Sequence, residues 1–151
     1  MALAKDFIWG VSSSAYQIEG AAFTNGKGRG IWDDGSHRNG KIYNGHNGDV
    51  ACDHYHRFKE DIKLMKELGI KNYRFSLSWP RLIPEGTGKV NPDGVRFYTE
   101  LVDEMIKNGI KPWPTLFHWD LPVALFYRGG FLNPEISDWF ADYAETVATI
   151  F

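Results

Sequence analysis

Only one cysteine, Cys52, stands among the 151 residues, so no intrachain disulfide framework is possible and a reducing compartment is expected. No excess of one charge exists either, since 17 Lys+Arg face 19 Asp+Glu for a formal net charge of −2. That balance offers no basic patch, which excludes nucleic acid and an anionic membrane surface as expected partners. Long hydrophobic runs are missing, and uncharged stretches such as Phe7 to Gln17 are too short and too polar to cross a bilayer. No Asn-x-Ser/Thr acceptor occurs, and the leading Met-Ala-Leu-Ala-Lys-Asp has neither an apolar targeting core nor a cleavage site. These absences together predict a cytoplasmic protein. What remains is 43% hydrophobic and 24% charged, the mixture of a globular chain, and its length suits one domain over residues 1–151. Aromatic residues are in excess, at 15% with six tryptophans, and part of that excess is expected to line a site.

The stretch from Asn25 to Gly48 holds seven of the sixteen glycines and few aliphatic side chains, so it reads as a long loop around a site. Periodicity is clear on either side. Phe7 to Val11 is a short apolar run closed by serines, a buried-strand signal. Tyr55 to Leu68 carries Phe58, Ile62, Met65 and Leu68 at helical spacing, with Gly69 placed to end the helix. Asn72 to Trp79 alternates, with Tyr73, Phe75, Leu77 and Trp79 on one face and Arg74, Ser76 and Ser78 on the other, until Pro80 stops the ladder. Asn91-Pro92 opens a second helix, with Val95, Tyr98, Leu101, Val102, Met105 and Ile106 on one stripe and an end at Asn108-Gly109. A strand from Ile110 to Trp119 and a third helix from Asn133-Pro134-Glu135 to Phe151 complete a βαβαβα order. Such alternation implies a parallel sheet covered by helices, an α/β fold.

Ligands in parallel α/β folds bind at the carboxyl ends of the strands. Arg74, His118, Trp119 and Asp120 fall near that rim. Gln17 and Glu19 follow the first strand, and an amide can grip two neighbouring hydroxyls at once, which suits a sugar; the same segment also reads as a capped turn entering a helix. Arg74 on a strand buried from both sides needs an anionic partner, whether a reacting carboxylate, a substrate acid or a structural Glu. His118 could donate to a hydroxyl, act as a base or bind metal, while Trp119 offers a flat apolar face. His54 and His56 suggest metal ligands, yet no third ligand lies nearby in sequence, so no metal is expected. Gly26-Lys27-Gly28-Arg29-Gly30 has no strand leading into it and is set aside as a phosphate loop, leaving no cofactor expected. Cys52 reads as a buried small apolar residue.

Taken in order, the motifs resemble the amino-terminal third of glycoside hydrolase family 1. They are Phe7-Ile8-Trp9-Gly10 with Ala15-Tyr16-Gln17-Ile18-Glu19-Gly20, Ile31-Trp32-Asp33, Asn47 to Tyr55, Tyr73-Arg74-Phe75-Ser76-Leu77-Ser78-Trp79-Pro80-Arg81, and Thr115-Leu116-Phe117-His118-Trp119-Asp120-Leu121-Pro122. The resemblance implies a (β/α)8 TIM barrel, of which this chain supplies the first three βα units. It implies retaining hydrolysis of β-linked glycosides by two carboxylates about 5–5.5 Å apart. It further implies that Gln17, His118 and Trp119 grip the non-reducing sugar and that Arg74 hydrogen-bonds the nucleophilic Glu. The family's Asn-Glu-Pro and Glu-Asn-Gly segments, which carry the acid/base and the nucleophile, do not occur in this sequence. The expected partners are therefore a β-glycoside and a complementary polypeptide with the remaining βα units, the chain alone being inactive. Alternatives are a non-catalytic glycan-binding or scaffold remnant, and a stand-alone βαβαβα domain without a site. Phe126 and Tyr127 stand where relatives are more polar, and either pack in a loop or add an apolar surface beside the site.

Overall fold

The computed structural model describes residues 3–151; Met1 and Ala2, part of the leading segment read above, lie outside them. Its elements run β1 (Val11–Ser12), α1 (Ala15–Ile18), α2 (Ile31–Ser36), a 3-10 turn (Tyr43–Gly45), α3 (His54–Glu67), β2 (Asn72–Ser76), α4 (Trp79–Leu82), α5 (Pro92–Lys107), β3 (Lys111–Thr115), α6 (Val123–Tyr127), a second 3-10 turn (Gly130–Leu132) and α7 (Ile136–Ile150). The strands form one parallel sheet in the order β1-β2-β3, with Val11 beside Tyr73 and Arg74 beside Trp113. The three strands form an open sheet, a part of the barrel that the sequence implies.

Local chemistry sets most boundaries. Asn91 caps α5 by accepting the Asp93 amide at 3.2 Å, Pro92 fills the first turn, and Gly109 at φ +72° closes the far end. Gly69 at φ +75° does the same for α3, where the Ile70 amide reaches back to the Met65 carbonyl at 3.0 Å. One face of β2 points Tyr73 and Phe75 into a core shared with Trp79, Tyr98, Leu101, Met105, Tyr143 and Val147. Within it Trp79 stacks on Tyr143 with centroids 4.6 Å apart, and its indole N–H donates to the Gly86 carbonyl at 2.9 Å. Such an aromatic pair adds about 0.5–1.5 kcal/mol beyond the area it buries.

Several expectations are corrected. The first strand is only Val11–Ser12, because Phe7 to Gly10 is exposed and is tied to β2 by the Asn72 side-chain amide on the Trp9 carbonyl at 2.7 Å instead of a ladder. The third strand stops at Thr115 and is an edge, where Pro112 and Pro114 remove amides. The Lys111 amide bonds to the Lys71 carbonyl of the neighbouring chain segment, so both prolines turn toward the free edge and blunt it. The glycine-rich loop contains α2, nucleated where Asp33 Oδ2 accepts the Gly30 amide at 2.7 Å. Leu68 is exposed, so the α3 stripe ends at Met65. Cys52 is exposed too, lying between Ala51 and Asp53, both left-handed. Among the described residues no helix is long and apolar enough to cross a membrane.

Candidate functional site

The carboxyl end of β1 leads through Ser13 and Ser14 into α1. The Ser13 hydroxyl bonds the Tyr73 hydroxyl, and Ser76 Oγ accepts the Ala15 amide at 2.8 Å, so β2 fixes where α1 begins. Helix α1 then puts Tyr16 and Gln17 at the rim. Beyond β3 the chain passes through His118 and Trp119, the latter at φ +69° and 66% exposed. These two segments meet. A cavity of about 290 Å³ is lined by Ser14, Tyr16, Gln17, Trp32, His118 and Trp119. It therefore unites three of the four expected site residues, with an exposed amide from Gln17, a half-buried imidazole from His118 and the broad face of Trp119.

Tyr16 and Trp32 form its aromatic wall. Tyr16 stacks on Trp32 at 5.9 Å between centroids, and the Tyr16 hydroxyl donates to Ser36 Oγ at 2.9 Å while accepting the Gly48 amide at 3.0 Å. A Cβ at Gly48 would stand 2.7 Å from the Tyr16 ring, so glycine is needed for that approach. The signal was the aromatic excess, but only the folded loop shows that Trp32 belongs with Gln17. Amide, imidazole and aromatic planes in one open hollow suit a polyhydroxylated ring, whose hydroxyls need donors and acceptors and whose C–H faces stack on indole.

Arg74 is placed elsewhere. It lies exposed on the helix-free face of the sheet, in a groove with Ser12, Asn72 and Trp113, and among the described residues it makes no ion pair. Arg74 is exposed because nothing in the described residues covers this face. The histidines of the suspected metal motif diverge as well. His54 Nδ1 pairs with Asp61 and His56 Nδ1 with Asp53, each at 2.6 Å, and the described residues hold no metal-ligating cluster. Phe126 and Tyr127 form an exposed pair on α6, with rings 5.7 Å apart.

Three acids, Glu19, Asp33 and Asp120, are buried. Glu19 is buried, with Oε2 2.9 Å from Arg81 Nε and Oε1 accepting the Tyr98 hydroxyl at 2.6 Å. Burial beside Glu19 pushes the Tyr98 hydroxyl well above its ordinary range. Asp120 is 4% exposed, and burial pushes its carboxyl up to about 7. Asp33 pairs with Lys27 at 2.6 Å, which ties α2 to the loop before it.

The model of glycosyl hydrolase family 1 matches residues 1–151. The β-glucosidase A of Acetivibrio thermocellus is 58% identical over 143 residues, covering 95% of this chain and 32% of its own. An aryl-phospho-β-D-glucosidase of Bacillus subtilis is 51% identical over 144 residues, covering 95% of this chain and 30% of its own. Among solved structures, a family 1 β-glucosidase from Thermotoga maritima superposes with a TM-score of 0.96 at 50% identity, covering 99% of this chain and 34% of that one. The chain thus spans about a third of the length of the relatives it matches.

Proposed function

Since the chain belongs to glycosyl hydrolase family 1, we propose that it supplies the glycone-binding part of a retaining β-glycosidase. The observation that carries this reading is the cavity in which Gln17, His118 and Trp119 meet. Gln17 and His118 hold hydroxyls of the non-reducing sugar, and Trp119 packs against its C–H face. Hydrogen bonds of that kind strengthen as the ring distorts toward its oxocarbenium-like transition state. Arg74 holds and orients the nucleophilic carboxylate, which attacks the anomeric carbon as the acid/base protonates the departing oxygen. Water activated by the same acid/base then releases the sugar. Both carboxylates come from the remaining βα units, on a complementary polypeptide, and the site takes no metal or cofactor. The lone exposed thiol of Cys52 suits a cytoplasmic setting.

The test mixes the chain with a polypeptide carrying the remaining βα units of the family and follows a chromogenic aryl β-glucoside. A 6-phospho-β-glucoside run in parallel separates the two substrate classes that its relatives' names represent. No turnover is expected from the chain alone, and turnover is expected on mixing. An acid/base by itself is worth about 10²–10⁴-fold, and the covalent route needs its own nucleophile. Turnover by the purified chain alone, or a complemented barrel that leaves both glycosides intact, would refute the reading.

A further inference from the structure

The turn that presents His118 and Trp119 is held in a strained form. Trp119 at φ +69° occupies a left-handed conformation that a bulky residue keeps only where its surroundings impose it. Its exposed ring imposes nothing. The flanks are pinned, since the Tyr143 hydroxyl donates to the Leu116 carbonyl at 2.9 Å and the Ile31 amide to the Leu121 carbonyl at 2.9 Å. Inside the turn, among the described residues, the hydrogen bond is from the His118 amide to Asp120 Oδ1 at 3.3 Å. Asp120 Oδ2 is buried and has no partner among them. A carboxyl taken out of water for one long bond is costly, so its presence there calls for a role.

We propose that Asp120 is a positioning residue whose carboxyl holds the turn that presents His118 and Trp119 to the cavity. This inference rests on the glycosidase reading above. Asp120 touches no sugar; it acts through the His118 amide. Burial raises its proton affinity first, the His118 amide opposes it by favouring the ionised form, Glu19 at the end of α1 raises it further, and the Asp120 amide and Lys27 oppose. Tyr143 on α7 feels Asp120 in turn. While protonated, the group accepts from His118 without placing a bare charge beside Glu19. Once ionised it gains from reaching water, which favours opening of the turn.

The test uses the whole barrel that carries this chain, with Asp120→Asn and Asp120→Ala, and 4-nitrophenyl β-D-glucoside as the probe. Asparagine keeps an acceptor for the His118 amide and cannot ionise. The parent is expected to lose kcat/KM above pH about 7. Asp120→Asn should keep kcat/KM within about threefold of the parent near neutrality and lose that alkaline fall, while Asp120→Ala should raise KM and lower kcat/KM about tenfold at an unchanged folded fraction. An alkaline fall that persists in Asp120→Asn, or an Asp120→Ala equal to the parent, would overturn the proposal. Should the alanine variant not fold, the asparagine profile decides. If the parent hydrolyses no β-glycoside, the glycosidase reading fails, and the His118 amide proton resonance judges Asp120 separately. That resonance moves in Asp120→Ala and stays in Asp120→Asn if the bond is made, and equal positions in all three overturn it.

Discussion

Replacing Arg81 by methionine should cost the protein a large share of its stability, and removing Glu19 as well should add little further loss. The guanidinium is 1% exposed and the Glu19 side chain 6%, with Nε and Oε2 2.9 Å apart. Arg81 also donates through Nη2 to the Gly20 carbonyl at 3.0 Å, and its guanidinium carbon lies 4.4 Å from the Tyr55 ring centroid and 5.5 Å from that of Phe97. Arg81→Met strands the Glu19 carboxylate with the Tyr98 hydroxyl alone. Breaking a buried pair from one side costs about 3–5 kcal/mol, because the survivor keeps its desolvation and loses its attraction. Against a whole stability of about 5–15 kcal/mol that loss is severe. Glu19→Gln keeps one carbonyl oxygen to accept from Arg81, while its NH2 turns to the Tyr98 hydroxyl oxygen, so its cost is nearer ~1–3 kcal/mol. The double variant buries no charge at all. Its destabilisation should therefore fall short of the sum of the singles by about 2 kcal/mol, within the range contacting residues show. Urea midpoints of the parent, both singles and the double, measured in the whole barrel, give the coupling. Additive losses would refute the reasoning and leave the two residues as independent packing groups.

Asp120→Asn should change stability in a pH-dependent way. Burial pushes the folded carboxyl up to about 7 from an ordinary 3.8, so the cost of burying it is absent below pH 3.8, grows as pH rises and is complete above about 7. The difference corresponds to at most ~4 kcal/mol, so thermal melts should show stabilisation by asparagine under mildly alkaline conditions and none in acid; equal shifts at both would refute the assignment. In the complemented barrel, Arg74→Lys keeps the charge and loses the planar fork, so kcat should fall at least about tenfold, ~1.4 kcal/mol, with the acidic limb of kcat/KM moved to higher pH. A limb that stays put at an unchanged folded fraction would make Arg74 a structural residue.

What the sequence makes legible is what local chemistry decides. The Asn91-Pro92 start and Gly109 end of α5 need only their own neighbours, and the alternation of β2 needs only the difference between Tyr73 or Phe75 and Arg74. Helix α2 was hidden because its stability is tertiary. Its first amide, that of Ile31, bonds the Leu121 carbonyl, and Gly30 bridges Pro122, partners far away along the chain. Cys52 is exposed although its residue type favours burial, because composition carries no record of the left-handed residues Ala51 and Asp53 on either side. The candidate site divides in the same way. Gln17, His118 and Trp119 stand out by residue type at strand ends, whereas Trp32 joins them only once the loop folds back onto Tyr16.

The two faces of the sheet differ in what they ask of their surroundings. Tyr73 and Phe75 already find a closed apolar core on the helix side. On the other face Ser12, Arg74 and Trp113 stand in one row across the three strands, and the Trp113 indole donates to Asn72 Oδ1 at 3.2 Å. A row containing a cation, hydrogen-bonding groups and one indole is poorly suited to a dry hydrophobic seal. With water on it, the Arg74 guanidinium needs no protein partner. Once further strands close over that face, the same guanidinium loses its hydration, and an unpaired buried cation costs several kcal/mol. Closure is therefore stable only if the covering strands bring a carboxylate to Arg74. A bidentate carboxylate is the partner its planar fork fits, and under the proposed function that carboxylate is the nucleophile.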